Sequence, residues 1–201
     1  MTFPRQTLSI SFYLWIKELG DRFTAGIALL MLCPLLLVLA LVIFLDDPGP
    51  VLFKQERAGR WHRPFTIYKF RTMKRDTPSI STEEMRRLGL TPYTRFGPFL
   101  RRSSLDELPQ LLNVLLGEMS LVGPRPALLT QQAVLAGRED LGVHQLRPGI
   151  TGLAQVTGRD DLQDAQKVER DFIYLRHLDP LTDVLILIYT LRSLTGARGA
   201  Y

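Results

Sequence analysis

Asp106 and Glu107 are adjacent carboxylates inside SSLDELPQLLN, with Arg101 and Arg102 shortly before them. Such a pair beside guanidiniums is a candidate for a catalytic role. A structural role competes with that chemistry. Ser104-x-x-Glu107 has the form of a capping box, and the helix dipole favours acidic side chains in a first turn. Pro109 comes just after that turn, which predicts a helix restarting there with free N–H groups aimed at whatever precedes it, a geometry suited to an anion. Two more loops carry arginine on stiff backbone: GPRP holds Arg125 between prolines, and RPGITG opens with Arg147. Rigid flanks reduce the entropy lost when a guanidinium fork clamps a phosphate, although either residue alone is as readily a surface arginine in a turn. Together these elements point to a site for anions. The single cysteine excludes an intramolecular disulfide framework and a Cys-based zinc site, and His62, His144 and His177 are too scattered to suggest a metal cluster.

The charge distribution agrees. Residues 51–105 carry 13 basic and 4 acidic side chains, a net of +9 within a chain whose formal net is +5. Such a stretch suits anionic lipid headgroups, and equally a site holding several phosphates. VLFKQ (51–55) and PFTIYKF (64–70) read as strands joined by a hairpin loop, AGRWHR. A short helix is expected over STEEMRRL (81–88). Leu108, Leu111, Leu112, Leu115 and Leu116 follow helical spacing, with Gly117 placed to end that helix. LVGPRP and RPGITG read as loops, residues 161–178 as a charged helix, and Asp179-Pro180 as the cap and first position of a last, apolar helix suited to interfacial docking.

These elements need an anchor, and the sequence supplies one. Between Arg22 and Asp46 lie 23 residues without a charge, FTAGIALLMLCPLLLVLALVIFL, enough at about 1.5 Å per residue to cross a hydrocarbon core of roughly 30 Å. The run is too long for a signal-peptide core and no small-x-small cleavage site follows it. Residues 9–22 read as an amphipathic lead-in helix. Pro34 is the midpoint of the run, where it removes a helical hydrogen bond and predicts a kink. Both flanks are basic, so a re-entrant helix–break–helix is favoured over a spanning helix with a tolerated proline.

The strings IYKFRTM (67–73), SLDELPQLLNVLLGEMSLVGPRP (104–126) and RPGITGLAQVTGR (147–159) closely resemble the bacterial sugar transferase family, the small monotopic phosphoglycosyl transferases, and the likeness runs from about Lys17 to Leu194. The resemblance implies an α+β, mainly α fold: a monotopic membrane protein with a re-entrant helix–break–helix, interfacial amphipathic helices, and a small globular catalytic region with a short β-hairpin. Residues 1–47 would form the lead-in and membrane part, and 48–201 the cytoplasmic catalytic domain. The implied reaction moves a sugar 1-phosphate from a UDP-sugar to polyprenyl (undecaprenyl) phosphate, releasing UMP through a covalent aspartyl intermediate, as a first membrane step of glycoconjugate or polysaccharide synthesis. It implies Asp106 as nucleophile and Mg²⁺ ligand, Glu107 as its partner, and Lys69, Arg101, Arg125 and Arg147 as phosphate-binding residues. Pro34 matches the break of the re-entrant helix, although Cys33 stands where the family often has serine, and cysteine bonds the freed carbonyls only weakly. The expected site of action is the cytoplasmic face of the bacterial inner membrane, with membrane lipids and a second copy of the chain as partners. The implied member is a small one, without the extra N-terminal membrane helices and domain of larger members.

Two other classes compete: a membrane-tethered nucleic-acid-binding protein, suggested by a pI near 9.6, and a non-catalytic membrane scaffold whose carboxylates merely cap a helix. Against the first, no recognised nucleic-acid motif is present, and no stacking aromatics occur beyond Trp61, Phe65 and Tyr68.

Overall fold

The computed structural model describes residues 10–75, 77, 89, 92–158 and 162–194. The short helix expected over residues 81–88 lies outside them. The fold is mainly helical and is organised around α1 (Ile10–Asp46), a helix of 37 residues that contains Pro34. The lead-in runs into the apolar segment as one helix, as expected. Its length follows from composition, since nearly every residue from Phe23 to Leu45 is apolar and no glycine falls between Ala28 and Leu45.

One stripe of α1 is covered by the rest of the protein. Ala25, Ala28, Leu29 and Leu32 pack with Ile67, Leu111, Val114 and Met119. Leu36, Leu39, Ala40 and Ile43 pack with Phe70 and Leu100. These positions recur at helical spacing, so the buried face is continuous along the helix. The opposite face is not covered: Phe23, Leu30, Met31, Leu37 and Leu45 are each at least 66% exposed. An apolar face of that extent is far beyond what a water-facing surface carries, and is compatible with membrane association.

A hairpin follows. Strands β1 (Leu52–Ala58) and β2 (Pro64–Phe70) pair antiparallel, from Leu52 opposite Phe70 to Ala58 opposite Pro64. β1 extends three residues beyond the expected VLFKQ, because Glu56, Arg57 and Ala58 continue the pairing to the tip. At that tip Trp61 and His62 adopt left-handed backbone, φ 57° and 55°, and the His62 ring lies 5.6 Å from that of His144. The chain continues through α2 (Gly97–Arg102), a single 3₁₀ turn at Leu105–Glu107, and α3 (Gln110–Leu116). Gly117 ends α3 in the left-handed region, φ 81°, as its position predicted.

The two loops read from LVGPRP and RPGITG are partly strands. β3 (Ser120–Val122) and β4 (Gly149–Thr151) form a parallel pair, Ser120 opposite Gly149 and Val122 opposite Thr151. Glycine permits the contact. A Cβ on Gly149 would sit 2.1 Å from the Gly123 nitrogen, and one on Gly152 2.1 Å from the Gly123 carbonyl oxygen. Between these strands lies α4 (Gln132–Asp140), not anticipated from the sequence. After β4 come α5 (Leu153–Thr157), the charged helix α6 (Asp164–Arg176) and the apolar helix α7 (Pro180–Leu194). Asp179 caps α7, accepting hydrogen bonds from the Thr182 N–H at 2.9 Å and hydroxyl at 2.7 Å.

Both ends of α1 are tied to the same globular body. Near its start, Lys17 Nζ donates to Asp183 Oδ2 on α7 at 2.5 Å, and Tyr13 to the same oxygen at 3.1 Å. At its end, Asp46 Oδ2 accepts from the Phe96 N–H at 3.2 Å, and Arg71 pairs with Asp47 at 3.1 Å.

Candidate active site

Asp106 and Glu107 occupy the 3₁₀ turn between α2 and α3. The expected capping box does not form. Ser104 enters the turn in left-handed backbone, φ 56°, and its side chain makes no capping bond. The Glu107 side chain points elsewhere, accepting a hydrogen bond from Lys69 Nζ at 2.7 Å, with Arg125 Nη2 3.6 Å from the same oxygen. A helix does restart at Pro109, but it has only seven residues, and its Leu111 and Leu112 amides already bond the Leu108 and Pro109 carbonyls. The carboxylates are thus released from the helix-end duties that the sequence allowed them.

Each partner is delivered by a different element. Lys69 comes from β2, one residue before its end. Arg125 comes from the bend after β3, held between Pro124 and Pro126, both buried. Arg101 comes from α2, where its guanidinium lies 5.5 Å from the Tyr93 ring centroid. It is near enough to lower the pKa of both carboxyls.

The two carboxyls are driven in opposite directions. Burial raises the Asp106 pKa above the ordinary aspartate value, and the Glu107 charge beside it adds to the rise, outweighing the opposing pull of Lys69 and Arg101. Burial acts on Glu107 too, but there the Lys69 and Arg125 charges win and hold it below the ordinary glutamate value. Glu107 is therefore a fixed anion within a cationic cage. Asp106, buried and without a salt bridge among the described residues, is the carboxyl whose charge is poorly solvated. A poorly solvated carboxylate beside guanidiniums is suited to attack an electrophilic phosphorus.

Asn113 of α3 sets the position of Lys69 and was not singled out from sequence. It is fully buried. Its Nδ2 donates to the Thr66 carbonyl at 2.7 Å and its Oδ1 accepts from the Tyr68 N–H at 3.1 Å, so one amide pairs the free edge of β2 as a strand would. The detectable signal was an amide inside the otherwise apolar LLNVLL. Arg57 of β1 was likewise missed. Burial, then the neighbouring Arg125 charge, lower its pKa to about 10.

Arg147 is placed differently from the other predicted phosphate ligands. Its Nη2 pairs with Glu18 of α1 at 2.8 Å, beside the Arg22–Glu18 pair at 2.6 Å, so it joins a cluster at the start of the long helix. Lys69, Arg101, Arg125, Asp106 and Glu107 are brought together; Pro34 lies within α1.

Among the described residues no group of three or more His, Cys, Asp or Glu is arranged to hold a metal ion. Mg²⁺ asks for less than that. It is commonly held by one or two carboxylates together with substrate phosphate oxygens, and Asp106 supplies a hard oxygen donor without a competing salt bridge, so the residues present fit it.

Comparison with known proteins places this constellation in context. The bacterial sugar transferase family matches residues 12–197. The UDP-glucose:undecaprenyl-phosphate glucose-1-phosphate transferase of Xanthomonas campestris pv. campestris is 39% identical over 95% of this chain and 41% of its own length. The UDP-N-acetylgalactosamine-undecaprenyl-phosphate N-acetylgalactosaminephosphotransferase of Aeromonas hydrophila is 39% identical over 94% of this chain and 45% of its own. The exopolysaccharide production protein PSS of Rhizobium leguminosarum bv. phaseoli is 41% identical over 92% of this chain and 98% of its own. The chain thus spans less than half the length of the first two relatives and nearly all of the third. With the match reaching from the long apolar helix through the carboxylate pair to α7, the chain belongs to the bacterial sugar transferase family.

Proposed function

We propose that the protein transfers a sugar 1-phosphate from a UDP-sugar to polyprenyl phosphate at the cytoplasmic face of the bacterial inner membrane, as an early step of polysaccharide or glycoconjugate synthesis. The observation that carries this reading is the split carboxyl pair: Glu107 locked to Lys69 and Arg125, Asp106 buried and without a salt bridge among the described residues. An Asp106 carboxylate oxygen attacks the donor's β-phosphorus. A new P–O bond forms, and the bond from that phosphorus to the bridging oxygen breaks. UMP departs with the bridging oxygen and the electron pair. The phosphate oxygen of the lipid acceptor then attacks the aspartyl phosphorus, and the Asp106 carboxylate leaves unchanged. Lys69, Arg101 and Arg125 offset the charge gathered on the transferred group. Glu107 keeps Lys69 and Arg125 oriented. Asp106 is the residue that would hold Mg²⁺, whose chemistry when bound is neutralisation of diphosphate charge.

The acceptor arrives from the lipid phase, so the carboxyl pair must stay near the headgroups. Attachment of both ends of α1 to one globular body supports a re-entrant helix bent at Pro34, with both flanks on the cytoplasmic side, over one that crosses.

Three results are expected together: UMP as product, ping-pong kinetics, and a protein adduct of sugar-phosphate mass before acceptor is added. Asp106→Asn should reduce turnover to background with little change in folding. Release of UDP with lipid-linked product would overturn the assignment, because UDP departs only when the sugar–phosphate bond breaks.

A further inference from the structure

A second feature adjoins the carboxyl pair. An open cavity with about 640 Å³ of empty space lies between the end of β1, the Arg125 bend and helices α4, α5 and α6. Arg57, Arg125, Arg138 and Lys167 line it, and among the described residues no carboxylate does. Two of these cations are already matched. Arg138 bonds buried Asp171 at 2.6 Å, and Lys167 pairs with Asp164 at 3.1 Å. The other two are matched less fully. Arg57 donates to neutral partners, Gln55 Oε1 at 2.5 Å and the Pro126 carbonyl at 3.2 Å. Arg125 approaches only Glu107 among the described carboxylates, at 3.6 Å, and Lys69 holds that oxygen more closely. Two guanidiniums are therefore crowded at one wall, and among the described carboxylates they share only Glu107, which Lys69 also holds. That arrangement disfavours the empty site and favours a bound phosphate. Beyond them Ala127, Val134 and Ala154 make an apolar wall, and Gln155 Oε1 is buried there without a hydrogen-bond donor. A buried acceptor lacking its donor is costly unless something arrives to supply one.

We propose that this cavity binds the nucleoside monophosphate half of the donor, with its phosphate between Arg57 and Arg125, its base on the apolar wall, and Gln155 Oε1 accepting from a ring N–H or ribose hydroxyl. The inference rests on the transfer reaction proposed above and adds where the departing nucleotide sits. Arg125 faces both the cavity and Glu107, so it spans the bond that breaks.

The test uses the full chain in lipid nanodiscs, with UMP as product inhibitor and, separately, UMP binding followed by saturation-transfer NMR without turnover. Arg57→Gln should weaken UMP about tenfold or more, the usual effect of losing a charged hydrogen bond. Gln155→Leu, which keeps the bulk of the side chain, should weaken it less. Both should raise the donor KM and leave the KM for polyprenyl phosphate unchanged. Should Arg57→Gln fail to fold by circular dichroism, Arg57→Lys and Gln155→Leu carry the same comparison. Unchanged UMP affinity in the folded variants would overturn the proposal. So would a rise in the polyprenyl phosphate KM with UMP affinity intact, since the cavity would then take the lipid's phosphate. Failure of the transfer reading looks different: no UMP would form on turnover, while the NMR measurement would still report whether UMP enters the cavity.

Discussion

Asp106 and Glu107 are neighbours in sequence, yet their side chains meet different surroundings. Burial, augmented by Glu107, raises the Asp106 carboxyl, whereas Lys69 and Arg125 overcome burial at Glu107. Attack requires ionised Asp106, so activity should disappear as pH falls through a value above the ordinary aspartate range. The charges around it move that limb in predictable directions. Arg101→Gln removes a cation that favours the carboxylate, and the acid limb of kcat/KM should shift to higher pH. Glu107→Gln removes the repelling anion, and the limb of the residual activity should shift to lower pH. Shifts in the opposite sense would mean that another group controls the limb. Both carboxyls were legible from residue type and spacing, as was the pull of nearby arginines. Their opposite shifts were not, because Lys69 lies 38 residues away and reaches Glu107 only through the fold.

At the scale of elements, the site depends on how short pieces are pinned together. α3 follows the carboxyl turn and holds β2 through Asn113, which serves Thr66, Tyr68 and the Glu118 carboxylate at once. Asn113→Leu fills the volume but leaves the strand edge unpaired. It should cost about 3 kcal/mol, read from denaturant midpoints, and reduce turnover by displacing Lys69. The β3–β4 pair positions Arg125 by the closeness of two backbones. Gly149→Ala would force the Gly123 region away, costing about 1–3 kcal/mol as overpacking does. Its activity loss should resemble that of Arg125→Ala, with the donor KM raised. The hairpin, the end of α3 at Gly117 and the start of α7 at Asp179 were all legible, because each is signalled by local chemistry. The parallel pair was not, since three-residue strands carry no alternation and their partners lie far apart in sequence.

For the whole molecule, α1 is both an anchor and a wall of the core. Its covered stripe supplies Ala25, Leu39 and Ile43 to two separate clusters, and its other face is left apolar and exposed. Its 37 residues, with Pro34 inside, have both ends bonded to one small globular body. Cysteines placed at Gly20 and Trp61, in a Cys33→Ser background, should both be labelled from the cytoplasmic side in oriented vesicles. Labelling from opposite sides would favour a crossing helix.

The sequence alone determined what depends on neighbours along the chain. The uncharged run, the hairpin, the carboxyl pair beside arginines and the prolines that stiffen Arg125 are each read within a few residues, where propensity, capping and charge act directly. Only the tertiary structure decided which of those groups meet. It drew Glu107 away from its capping role to Lys69 and Arg125, and sent Arg147 to Glu18 on α1 rather than to the carboxyl pair. It also opened a cavity lined by Arg57, from a strand that had offered only a hairpin. The physical reason is common to all three. Ion pairs and buried amides are set by distances across the fold, and those distances follow from how a few apolar faces close on α1, which no local pattern contains.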